Sequence, residues 1–60
     1  MTLPAYLHRI YPHLLNNLSA RKTAKLTGLS HRTVQQYTQV IYEIFDVHSR
    51  KELIRRVKHG

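Results

Sequence analysis

Cysteine is missing from this chain. Its absence excludes disulfide staples and the thiolate ligands of structural zinc sites, and it fits a reducing compartment. Acidic side chains are scarce as well: three Asp and Glu stand against ten Lys and Arg, a formal net charge of +7. Glycine occurs only at Gly28 and Gly60, too thinly to build a phosphate-cradling loop. No charged segment followed by a long apolar run opens the sequence, and no stretch approaches the roughly 20 apolar residues of a spanning helix. These absences lead us to expect a soluble, cytoplasmic protein that does not enter membranes.

Catalytic and metal chemistry are equally ill-supplied. No nucleophile has a base and an orienting group at a usable spacing, so the chain is not expected to be an enzyme. Five histidines, His8, His13, His31, His48 and His59, are present. None forms an i, i+4 pair on a helix, and no cysteine or paired carboxylate completes a tetrahedral set. Neither a metal nor a cofactor is expected.

What remains is a short, basic, helix-patterned chain. Sixty residues make one domain, spanning 1–60. A chain of this size buries only about 60% of its unfolded surface, so pairing with a second subunit is a natural source of added stability. The excess of positive charge attracts polyanions, nucleic acid first among them. Its distribution is uneven: residues 1–20 carry only Arg9, whereas Arg21, Lys22, Lys25, Arg32, Arg50, Lys51, Arg55, Arg56 and Lys58 follow.

Hydrophobic spacing predicts an all-α fold of four helices. In the first, Leu3, Leu7, Ile10 and Leu14 form an apolar stripe widened by Tyr6, Tyr11 and Leu18. Pro12 lacks a backbone donor and clashes with the preceding turn, so this helix is expected to kink or split near Tyr11. Ser19 caps a second helix whose small residues Ala20, Ala24 and Thr27 share one face, opposite Arg21, Lys22 and Lys25. Gly28 supplies the turn. Ser30 caps a third helix running to about Phe45, which Asp46 ends by tolerating a left-handed conformation. Ser49 opens the fourth, where "SRKE" fits a capping box with Glu52 reaching back to Ser49.

The third helix carries the functional signal. At 100° per residue, Val34, Tyr37, Ile41, Ile44 and Phe45 fall within an arc of roughly 100°, and Arg32, Gln35, Gln36 and Gln39 occupy a similar arc opposite. Neutral amides on the outer face of a cationic protein have a specific use. Lysine holds phosphate as a point charge, whereas glutamine offers a donor and an acceptor together and can pair with adenine N6 and N7.

The stretch "AKLTGLSHRTVQQYTQVIYEIFDVHSRKEL", residues 24–53, resembles the LuxR/GerE-type helix-turn-helix of bacterial transcription regulators. The likeness rests on Ala24, Ser30, Thr33, Val34, Ile41, Tyr42, Val47, Ser49, Arg50, Glu52 and Leu53, in the family's order, and covers about half the chain. Residues 1–17 do not follow the family pattern: they lack its threonine-proline start and acidic residues and contain Pro12. The resemblance implies a small four-helix DNA-binding domain associated with the bacterial nucleoid. Its recognition helix, about 31–45, enters the major groove, with base contacts from Gln35, Gln36 and Gln39.

Arg32 is placed to meet either a guanine edge or a phosphate. Thr33 can reach a phosphate or stay within its first helical turn. Arg21, Lys22, Lys25 and His31 suit the sugar-phosphate backbone, as do Tyr37 through its hydroxyl and Arg50, which matches a family arginine at the start of the last helix. That helix commonly contributes to dimerisation in the family, which divides Leu53, Ile54 and Val57 between core and interface. A twofold dimer reads half-sites about 34 to 36 Å apart. The expected partner is double-stranded DNA, with a homodimer or pairing with another regulator. The competing expectation is a protein-interaction module that modulates a larger regulator or polymerase without reading DNA.

Overall fold

Proline at position 12 decides how the chain begins. A computed structural model describes residues 3–59, and there the apolar N-terminal stripe is divided. A 3-10 turn, Ala5–Leu7, is followed by a turn and then by helix α1, Tyr11–Leu15, with the proline in its first turn. An N–H is unpaired at that position in any helix, so proline costs nothing there. The expected split at Pro12 is therefore what forms.

Helix α1 ends at a left-handed corner. Asn17 has φ 60°, and the paired bonds Leu18 N–H to His13 C=O (3.0 Å) and Asn17 N–H to Leu14 C=O (3.1 Å) close a Schellman turn. Helix α2, Ala20–Thr27, starts from Ser19, whose hydroxyl accepts from the Lys22 N–H at 3.1 Å. It stops at Gly28, where φ is +76° and the N–H returns to the Ala24 carbonyl. Thr27 locks that stop: its hydroxyl donates to the Thr23 carbonyl at 2.7 Å and accepts from the Leu29 N–H at 3.4 Å.

Helix α3, His31–Phe45, is the longest element, and helix α4, Arg50–His59, follows it. Asp46 ends α3 in the left-handed region at φ 56°, with the Val47 N–H bonded to Tyr42 C=O and the Asp46 N–H to Glu43 C=O. The fourth helix differs from expectation in one detail. Ser49 does accept from the Glu52 N–H at 3.2 Å, but the Glu52 carboxylate takes the N–H of His48 at 2.6 Å rather than that of Ser49. Either way it satisfies a donor ahead of the helix and sits at the positive end of the α4 dipole.

Among the described residues there is no strand. The core is built from Leu7, Ile10, Leu14, Ile41, Val47 and Leu53, with Tyr11, Leu15, Val40, Ile44 and Phe45 partly buried against it. Tyr11 stacks on Phe45 at 5.8 Å and 4°. The N-terminal segment, the C-terminal half of α3 and α4 thus make one apolar cluster. Helix α2 lies outside that cluster and packs chiefly on α3. No helix of the described residues is long and apolar enough to cross a membrane.

Candidate nucleic-acid interface

The turn at Gly28 joins two packed helices, each of which carries an exposed polar face. On α2, Arg21, Lys22 and Lys25 are exposed and, with Ser19, line a shallow depression. The inward face carries Ala20, Ala24 and Thr27, half-buried, around a fully buried Thr23. Thr23 was not singled out by the sequence pattern, although the wheel places it beside Thr27, about 40° away. Its hydroxyl oxygen is buried and has no hydrogen-bond partner among the described residues.

On α3, Arg32, Gln35, Gln36 and Gln39 are all exposed, together with His31. Val34 and Ile41 on the opposite side are fully buried. Among the described residues no other helix covers the amide face. The Ser30 hydroxyl accepts from the Thr33 N–H at 3.0 Å and donates to the Thr33 hydroxyl at 2.8 Å. Thr33 is thereby held within the first turn, one of the two positions open to it. Thr38 donates to the Val34 carbonyl at 2.7 Å, so it presents no free donor beside the glutamines.

Electrostatics single out this surface. The sequence has no acidic residue before Glu43, so both α2 and the exposed face of α3 through Gln39 are free of negative charge. The first turns of α2 and α3 contain no acid either. They contain Arg21 and Lys22, and His31 and Arg32. A cation near the positive end of a helix dipole is disfavoured by about 0.3 to 1 kcal/mol, an expense with no return inside the fold. The first turn of α4 also holds two cations, Arg50 and Lys51, but there Glu52 stands beside them in the orientation the dipole favours.

Three residues named from the sequence lie elsewhere. Tyr37 is half-buried on the far side of α3 from Gln39, its ring edge-on to Tyr6 at 5.0 Å and 69°. Arg50 is half-buried, and its guanidinium donates to the Leu18 carbonyl across 32 positions of sequence. Leu53 is wholly enclosed in the protein's own core. Its methyl groups are used up inside the fold, which leaves half-buried Ile54 and Val57, 38% exposed, as the apolar residues of α4 open to contact. Leu26, 59% exposed, was not anticipated. The available signal was its isolation on α2, where Lys22 and Thr23, not apolar residues, lie one turn before it.

The histidines are dispersed: among the described residues no group of three or more His, Cys, Asp or Glu is placed to hold a metal ion. No family model, curated protein or solved structure matches the chain.

Proposed function

We propose that this protein is a small transcription regulator of the LuxR/GerE helix-turn-helix type that binds double-stranded DNA with sequence preference. Helix α3 lies in the major groove and α2 rests against the sugar-phosphate backbone beside it. The observation that carries this reading is the exposed, acid-free row of Arg32, Gln35, Gln36 and Gln39 on α3, together with the exposed cations of α2, the helix that packs on it. Amides at a groove floor discriminate bases, each bidentate pair contributing about 1 to 3 kcal/mol, while the cations supply the salt-sensitive, sequence-independent grip.

The test is binding of a labelled random-sequence duplex across a salt series. Affinity is expected to fall steeply and linearly on a log-log scale, with a slope of about −0.9 per phosphate engaged. A protein that fails to bind duplex DNA even at low salt would overturn the proposal. A second reading, docking to a larger regulator or polymerase, is favoured by one observation: Tyr6, Leu26 and Val57 are large apolar side chains left 47%, 59% and 38% exposed. Capture of such a partner together with absence of duplex binding would establish that reading instead.

A further inference from the structure

We propose that Arg50 is a positioning residue that fixes the cationic end of α2, and is not itself a phosphate contact. The inference rests on the DNA-binding reading above. Leu18, whose carbonyl accepts the Arg50 guanidinium, lies between two locally determined corners. Its own N–H closes the Schellman turn of α1, and the next residue, Ser19, caps α2. The carbonyl is therefore outside both helical ladders, and Arg50 is its partner from the opposite end of the sequence.

The mechanical consequence follows from what else holds α2. This eight-residue helix packs chiefly on α3, and its buried and half-buried face consists of Ala20, Thr23, Ala24 and Thr27, all small side chains. One end is fixed by the tight Gly28 turn. The other end, where Arg21 and Lys22 stand, is joined to the main cluster through residues 16–19. Arg50 begins α4, whose Leu53 is buried in that cluster, so its bond to Leu18 ties the free end of α2 to the most firmly packed part of the molecule. A planar guanidinium suits the task, because it stays charged and loses less freedom per hydrogen bond than an ammonium. Without the tie, α2 pivots about Gly28 and its cations leave the line of the phosphates.

The experiment compares wild type, Arg50→Gln and Lys22→Ala in two readouts: salt-dependent binding to a labelled random-sequence duplex, and amide hydrogen exchange. Removing one phosphate contact, as in Lys22→Ala, lowers the magnitude of the log-log salt slope by about 1. Arg50→Gln is expected to lower it by about 2 to 3, because the contacts of α2 are lost together. In the Arg50→Gln background, Lys22→Ala is then expected to add almost nothing. The amides of Lys22 and Thr23, both bonded to Ser19, are expected to exchange several-fold faster, with those of Leu14 and Leu53 unchanged.

A slope reduced by about 1 with exchange unaltered would make Arg50 a phosphate contact and overturn the proposal. An unchanged slope would overturn it too. Should Arg50→Gln not fold, Arg50→Lys retains the charge without the fork; faster exchange at Lys22 and Thr23 is expected there, and wild-type exchange and slope would refute the idea. If wild-type protein binds no duplex, the DNA reading fails. Exchange at Lys22 and Thr23 then still decides whether Arg50 holds α2.

Discussion

The segment before Ser19 and the helix after it, α2, are stabilised by different means. Residues 3–15 contribute large apolar side chains, with Leu7, Ile10 and Leu14 fully buried, and little charge. Helix α2 contributes one fully buried side chain, Thr23, and depends on a serine cap, a glycine stop and close approach of small residues to α3. The first segment shares the hydrophobic core with Ile41, Val47 and Leu53. Helix α2 is a thin layer laid on α3, and it spends its surface on cations. The lesson is that burial and contact are divided along the chain, so substitutions on the two sides should fail in different ways.

The largest effect is expected at the buried side. Leu14→Ala leaves a cavity among Leu7, Ile10, Ile41 and Leu53 and should cost about 2 to 5 kcal/mol, comparable to the whole stability of a chain this size. Circular dichroism during urea denaturation checks it; a variant with the wild-type midpoint would break the division proposed. Gly28→Ala acts on the thin side. An added Cβ meets nothing within 4 Å, so the penalty is conformational alone, about 1 to 2 kcal/mol for an ordinary residue at φ +76°. A smaller effect of opposite sign is expected from Thr23→Val. It replaces a buried hydroxyl without a partner by a methyl of similar shape and should raise stability by about 1 kcal/mol. Thermal unfolding would show it as a rise of roughly 4 to 8 °C, and a fall would mean that the hydroxyl has a partner.

What the sequence made legible was local. The break at Pro12, the caps at Ser19, Ser30 and Ser49, the left-handed stops at Gly28 and Asp46, and the outward glutamine row each depend on a few neighbouring residues and a known period. The long-range arrangements were not legible. Arg50 finds its acceptor 32 positions away, and nothing in "SRKE" distinguishes an arginine bound for Leu18 from one bound for phosphate. Tyr6 meeting Tyr37 is likewise a product of how the N-terminal segment crosses α3. Two local misses have simpler origins. Glu52 reaches one residue further back than a capping box requires, and Thr23 was passed over because a hydroxyl residue reads as surface although it lies on the small-residue face of α2.

The amide row of α3 remains the centre of the account, because the cations around it would serve any polyanion. Selection of bound duplexes from a random pool, with wild type and with the Gln35→Ala, Gln39→Ala double variant, addresses it most directly. Wild type is expected to enrich a defined site. The double variant is expected to keep its salt-dependent affinity for bulk DNA and its folded stability while losing preference at the base positions the two amides face. Identical enriched sites from the two proteins would contradict the account.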